Sequence, residues 1–398
     1  MANGMKRGLL VLTALIGLAS PASVFSPPKQ EIKEIPKPVL EESVKDGNVK
    51  GFRLNEWHAR SSKKTKEMLD YFSVSDLNTV VLDVSDEYGK FAVPVKNKFA
   101  AKFNLYDSSM NNFSRSIRTY AKNGCRLGVR FVVAKDELLS RVENGKYAVK
   151  HGNGNDSVFV DLNSEFVREY KVTNYAEAIS LIVNEIEGAG RKPLEINPLL
   201  VFLDYLRNPD SRDVKKPFFP FLKEQSNDAA VISLLKELNA ALPEKLKKKV
   251  KIISCVYGDN LNPRFRRKNS LGQNLNEMKK HSTIAGMIYP YCYNDCFEVW
   301  RDIYGHTHKE ISKLLEVSND AMVWIQGDMG GIKNRLKERG ISHVKLIEEQ
   351  MRACDDAGIG YVVWSHSGNI EPAACAALSI PKDFENRINM QEKGLARK

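Results

Sequence analysis

The stretch Leu199-Leu200-Val201-Phe202-Leu203-Asp204-Tyr205 decides the fold. Five apolar residues run without a break and end on a carboxylate and an aromatic ring. Such a run reads as a strand buried on both faces, with its chemistry held at the C-terminal end. The pattern recurs on either side, with candidate strands at Val49–Leu54, Leu77–Val84, Arg126–Val133, Val250–Tyr257, Ile284–Tyr289, Met322–Gln326 and Gly360–Trp364. Helical periodicity fills the intervals, over Ser61–Phe72, Phe113–Asn123, Glu165–Glu187, Asp228–Leu242, Cys296–Leu315 and His343–Ala357. Strands alternating with helices imply a parallel sheet of the α/β class, and about eight such units make a (β/α)8 TIM barrel. A doubly wound open sheet is the alternative, but no Gly-rich phosphate turn follows any of these strands.

The spacing is uneven, which places loop insertions on the C-terminal face. One runs from Leu139 to Asp161 and carries His151-Gly152-Asn153-Gly154-Asn155, the signature of a surface loop or small hairpin. Another runs from Pro209 to Asn227 and carries Phe218-Phe219-Pro220-Phe221. Long segments after barrel strands build the working face.

With 42% hydrophobic and 27% charged residues, the chain is neither disordered, collagenous nor a coiled coil. Its 398 residues divide into four expected parts. Residues 1–23 form a signal peptide or membrane anchor: Lys6 and Arg7, an apolar run from Leu9 to Ala19, then small residues suited to cleavage. Residues 24–48 form a Pro/Lys/Glu-rich linker, 49–380 the barrel and 381–398 a basic tail. Export is therefore expected, to the periplasm, cell surface or exterior, with membrane attachment if the leader stays uncleaved. The net charge of +11 invites a nucleic-acid partner. The basic residues are scattered, however, and Lys245 with Lys247 to Lys249 follow a helix end, where cations suit the dipole. The dense group is Arg264-Phe265-Arg266-Arg267-Lys268, in the loop after the fifth strand, which suits a cell-envelope polymer better than nucleic acid.

Polar residues gather at the strand ends: Asp83, Ser85 and Asp86; Arg130, Lys135 and Asp136; Asp204, Tyr205 and Arg207; Tyr257 and Asp259; Tyr289; Trp324, Gln326 and Asp328; Trp364 and His366. Carboxylates among aromatic rings suit carbohydrate chemistry. Two carboxyl groups protonate a leaving oxygen and act at the anomeric carbon, while ring faces stack on sugars. There is no nucleophilic Ser or Cys signature. Cys292 and Cys296 with His306 and His308 lack zinc spacing, so neither metal nor cofactor is expected. Cys125 and Cys255 read as core residues.

Several of these blocks resemble a known family: the glycoside hydrolase-like domain of exported prokaryotic proteins first catalogued as a domain of unknown function. Similar to its blocks are Val80 to Lys90, Gly128 to Asp136, Leu203-Asp204-Tyr205-Leu206-Arg207-Asn208-Pro209, Gly272-Gln273, Met287-Ile288-Tyr289-Pro290, Trp324-Ile325-Gln326 and Trp364, in the same order from Gly51 to about Ile370. The resemblance implies a TIM barrel and a polysaccharide-directed role. The chain departs from the family at Tyr291-Cys292, where a Ser-His pair is usual, at Asn274 in place of an acid, and at Asn208 in place of Phe.

Asp204 is the expected catalytic carboxylate, kept ionised by Arg130 or Arg207. For the second, Asp83, Asp136, Asp259, Asp328 and Glu371 all qualify; Asp83 is preferred because a raised pKa needs a partly buried strand-end position. Asp86 and Glu87 read as solvated turn residues. Arg130, Tyr205, Arg207, Tyr257, Tyr289, Trp324, Gln326 and Trp364 are the expected substrate contacts. Three functions compete: an exported glycoside hydrolase acting on a cell-envelope or extracellular polysaccharide, an inactive glycan-binding or envelope-associated barrel, and a nucleic-acid binder resting on net charge alone.

Overall fold

The computed structural model describes residues 49–190, 194, 197–222, 228–261, 271–290, 299–328 and 333–380. The expected leader, linker and basic tail lie outside the described residues, as do Arg264 to Lys268, Tyr291, Cys292 and Cys296.

Eight parallel strands close into a barrel: β1 (Lys50–Leu54), β2 (Thr79–Ser85), β3 (Arg126–Val132), β6 (Leu199–Asp204), β7 (Val250–Tyr257), β8 (Thr283–Ile288), β9 (Ala321–Gln326) and β10 (Gly360–Trp364). Closure is made by β10 against β1, with Lys50 opposite Tyr361 and Phe52 opposite Val363. The open-sheet alternative therefore falls, and the fold is the (β/α)8 barrel. Strands β4 (Ala148–Lys150) and β5 (Asp156–Val160) form an antiparallel hairpin inside the insertion between β3 and β6. The second insertion runs alongside, its Phe218 bridging to Lys150.

Alternation along each strand makes two cores. On β6, Leu200 and Phe202 point inward to join Val81, Ile253, Ala285, Met322, Trp324 and Val362. Val201 and Leu203 point outward into the layer between barrel and helices. Both sets are buried, which is why the run in the sequence is unbroken. Burying one such side chain stabilises by about 1.5–3 kcal/mol. Interior space is fully used: a Cβ on Gly128 would meet Val81 Cγ2 at 2.9 Å and the Phe202 ring at 3.0 Å.

The principal helices are α1 (Ser62–Val74), α2 (Phe113–Lys122), α3 (Glu165–Gly188), α4 (Ala229–Ala241), α5 (Ile303–Val317), α6 (His343–Asp356) and α7 (Glu371–Ser379). Ser61, Ser164, Asp302 and Ser342 start four of them by accepting from backbone N–H groups of the first turn. The Asp302 cap starts α5 at Ile303, inside the expected stretch, whose first residue Cys296 lies outside the described residues. Among the described residues, no helix is long and apolar enough to cross a membrane.

Candidate active site

Above the inward-facing apolar cluster the barrel carries four charged side chains on neighbouring strands. Arg53 of β1 donates to Asp83 of β2 through Nε (3.1 Å) and again through Nη2. Arg130 of β3 donates Nη1 to Asp83 Oδ2 (3.0 Å), and Nε and Nη2 to Asp204 Oδ2 of β6 (2.9 and 2.6 Å). Two guanidiniums and two carboxylates thus alternate around the wall. Burial works against the charge on Arg130, but Asp83 and then Asp204 outweigh it and raise its pKa. A bulge in β2 between Asp83 and Ser85 shifts the register with β3. Ser85 Oγ then accepts the Val132 N–H at 3.2 Å. Bulges commonly re-aim side chains beside active sites.

Asp204 is 9% exposed and its Oδ1 accepts the Tyr205 N–H at 2.7 Å. Tyr205 has φ +51°, a left-handed conformation unusual for a ring-bearing residue. Backbone bonds from Val133 to Asp204 O (2.8 Å) and from Ala134 to Tyr205 O (3.1 Å) hold it there. Strain of this kind marks functional turns.

Rings and cations line the mouth on two sides. On one, Tyr205 lies under Lys135 (5.6 Å) and Arg207 (5.4 Å), and Tyr257 under Arg207 (5.3 Å) and Arg212 (4.9 Å). On the other, Trp364 packs against Tyr289 at 5.7 Å, with Arg53 over its ring at 5.9 Å and His366 at 6.4 Å.

The structure therefore brings Asp83, Arg130, Asp204 and Tyr205 into one array, with Trp364 and Tyr289 beside Arg53. Other expectations change. Arg207 does not reach Asp204 and instead pairs with Asp213 at 2.6 Å. Trp324 is 2% exposed and sits inside the barrel, edge-on to Phe202 at 5.2 Å, so it is core and not a sugar platform. Gln326 is buried too: its backbone exchanges hydrogen bonds with the Gln350 side chain, and its Nε2 holds Asp328 O at 2.7 Å. Asp83 is 1% exposed and caught between two arginines, which leaves it no free edge for proton transfer. Asp136 caps the turn Glu137–Ser140 and binds the buried Lys171 at 2.6 Å. Asn274 caps the helix Leu275–Met278 and donates to Asp228, so its replacement of an acid is answered by local structure. Asp86 is not a solvated turn residue but half-buried, accepting from the Tyr88 and Lys90 N–H groups. The Asp259 side chain lies outside the described residues.

Residues that sequence reasoning missed follow the strand ends directly. Glu56 starts the short helix Glu56–Ala59 after β1, and burial first, then Asp83, pushes its carboxyl pKa up. Trp57 after β1 and Tyr88 after β2 are exposed rings on the working side. Their signal was adjacency to a strand end.

Among the described residues no cluster of His, Cys, Asp and Glu has the arrangement of a metal site. Two surface grooves, about 550 Å³ around Lys251 and His281 and about 280 Å³ between α1 and α2, do not include the array.

No curated protein matches the chain. Among solved structures, the glycoside hydrolase domain of PgaB (BpsB) from Bordetella bronchiseptica superposes with a TM-score of 0.53 at 10% identity, covering 84% of this chain and 99% of that one. The endo-1,4-beta-mannanase from Rhizomucor miehei gives 0.49 at 12% identity, covering 80% and 86%. At such identities the likeness concerns the fold. Residues 51–369 match the family described as the putative glycosyl hydrolase domain, and the chain belongs to that family.

Proposed function

We propose that the barrel mouth hydrolyses glycosidic bonds in a cell-envelope or extracellular polysaccharide, with Asp204 as the carboxylate acting at the anomeric carbon. The observation that carries this reading is the state of Asp204. It ends an inner strand, is gripped on Oδ2 by Arg130 and oriented on Oδ1 by the Tyr205 N–H, and its side chain remains 13% exposed. A carboxylate so held is fixed in position for nucleophilic attack or activation of water. The rings of Tyr205, Tyr257, Tyr289 and Trp364 offer apolar faces to sugar rings. The PgaB domain, named as a glycoside hydrolase domain, supports the reading through its shared fold. The basic, apolar and small-residue pattern of residues 1–23 supports placing the substrate beyond the cytoplasmic membrane.

Asp204→Asn, assayed by reducing-end release from a panel of polysaccharides, should lower turnover by about 10²–10⁴-fold. Unchanged turnover would remove Asp204 from the chemistry. Arg130 donates twice to a single Asp204 oxygen, which favours as second reading a barrel that binds glycan without cleaving it. Binding by the wild type with no new reducing ends would select that reading.

A further inference from the structure

We propose that the end of the barrel opposite the mouth is a docking face for anionic phospholipid headgroups, centred on Lys245, Lys248 and Lys279; the inference rests on the export reading above and stands whether or not the mouth cleaves glycans. In a closed parallel barrel every strand starts at one end and finishes at the other. Asp83, Asp204 and Trp364 lie where their strands finish, whereas β7 starts at Val250 and β8 at Thr283 on the opposite end. A groove of about 550 Å³ opens there, with Lys247, Lys251, Lys279, His281 and Asp320 among its lining residues. Both oxygens of the lining carboxylate are taken: Lys251 pairs with Asp320 Oδ1 at 2.7 Å, and the Thr283 hydroxyl donates to Oδ2 at 2.8 Å.

The fold presents the lysines around this groove on fixed backbone. Buried Leu246 anchors the turn Glu244–Lys247, and Lys249 O accepts the Leu199 N–H at 2.8 Å, which ties the segment to the start of β6. Lys245, Lys247 and Lys248 stand exposed around that anchor. On the β8 side, the helix Leu275–Met278 buries Met278 and leaves Lys279 and Lys280 exposed. Lys279 Nζ donates to Val317 O at 2.9 Å, at the C-terminal end of α5. The carboxylates that face these lysines are Glu244, paired with Lys247, Glu187 with Lys249, Asp320 with Lys251 and Glu277 with Lys280. Over 244–251, 277–282 and these partners, seven lysines meet four carboxylates, an excess of three positive charges. Lys245, Lys248 and Lys279 are the three without an ion pair among the described residues. Such a sector is drawn to a surface of anionic headgroups over about a Debye length.

The point at which the chain enters the barrel selects a lipid surface as the occupant. Strand β1 starts at Lys50, so the residues before it join the barrel at this same end. They include the expected anchor, with Lys6, Arg7 and the apolar run from Leu9 to Ala19, followed by residues 24–48. A stretch of that length spans at most about 80–90 Å, which keeps the barrel at the membrane without orienting it. The lysine sector supplies the orientation, and its contact is strengthened because a tethered domain meets the bilayer at high effective concentration. With this end on the bilayer, the mouth opens away from the lipid, toward polymer outside.

The test measures binding of the full chain to vesicles of phosphatidylcholine alone and of phosphatidylcholine with phosphatidylglycerol. Wild type should prefer the anionic vesicles, and the preference should fade as salt rises. The triple variant Lys245→Gln, Lys248→Gln, Lys279→Gln should lose about 10–100-fold in affinity for anionic vesicles. Its binding to neutral vesicles, which reads the leader alone, should match wild type, so failure of the leader and failure of the face are told apart. Lys63→Gln, Lys66→Gln, Lys309→Gln removes the same charge from exposed positions on α1 and α5 and should lose less than about threefold. Lysine acetylation read by mass spectrometry should show Lys245, Lys248 and Lys279 protected by anionic vesicles while Lys63 and Lys66 stay reactive. Equal losses in the two triple variants, or protection spread evenly over the surface, would overturn the docking face. So would a first variant that binds anionic vesicles like wild type but loses a soluble anionic polymer such as polyglutamate, since the face would then serve a polymer. Melting temperatures equal to wild type exclude a folding defect. Absence of glycan cleavage in all three proteins would sink the hydrolase reading and leave this face standing.

Discussion

Replacing Arg130 by Met tests whether the four-member array is what holds the mouth together. Arg130 donates three hydrogen bonds, two to Asp204 and one to Asp83, from a position only 7% exposed. Met retains much of the stem volume but takes from Asp204 its guanidinium and leaves Asp83 to Arg53. Removing one partner of a buried ion pair costs about 3–5 kcal/mol, because the remaining charge is desolvated without compensation. For the roughly 300 described residues, an unfolding entropy of about 2.1 cal/mol/K per residue sums to about 0.6 kcal/mol/K, so the expected fall in melting temperature is about 5–8 °C. Arg53→Met should cost less, since Asp83 keeps Arg130 and Asp204 is untouched. Adding Asp83→Asn and Asp204→Asn to Arg130→Met should recover much of the loss, because the unpaired charges are then gone. Thermal and urea unfolding followed by circular dichroism, at low and high salt, measures all three. The reasoning is refuted if Arg130→Met costs under about 1 kcal/mol, if Arg53→Met costs more, or if salt erases the difference, which would mark the array as solvent-screened.

Two further outcomes follow from the same geometry. Trp324→Ala opens a cavity in the barrel interior and should destabilise by about 3–5 kcal/mol, whereas Trp364→Ala at the rim should weaken glycan affinity with a smaller stability loss; equal effects of the two on unfolding would contradict their placement. The His306 pKa is pushed down to about 4 by burial, with Lys313 and Lys309 adding to it. The unfolded chain takes up this proton near 6.5 and the folded chain only near 4, so stability should decline as pH falls through that interval. His306→Gln should flatten that part of an acid unfolding curve, and an unchanged curve would count against it.

The barrel was legible because its signal is local. A strand such as Leu199–Asp204 packs both faces, so its hydrophobicity is continuous and its end is marked by the first charge. The β4–β5 hairpin was legible through its Gly and Asn residues. Helix α7 was not: it is nine residues long, Ala-rich, and opened by Pro372, with little polar face to set a period. Depth along the barrel axis was also hidden. Trp324 and Trp364 both read as strand-end aromatics, yet the strand stagger aligns Trp324 with Val362 and Met287, one layer below Trp364. Register between strands fixes that depth, and register is a property of the closed sheet. Gln326 lies in register with Trp364, but the side chain of Gln350 on α6 covers it from outside.

Asp83 illustrates how little residue type and strand-end position say about the surroundings of a carboxyl. Strand-end position made Asp83 the natural choice, since a partly buried carboxyl is a good candidate for an acid. In the closed barrel, Asp83 is buried by the very arginines that donate to it. Its place is to bridge Arg53 and Arg130, so that the orientation of the guanidinium serving Asp204 is tied back through β2 to β1. The array carries two positive and two negative charges and is neutral as a unit.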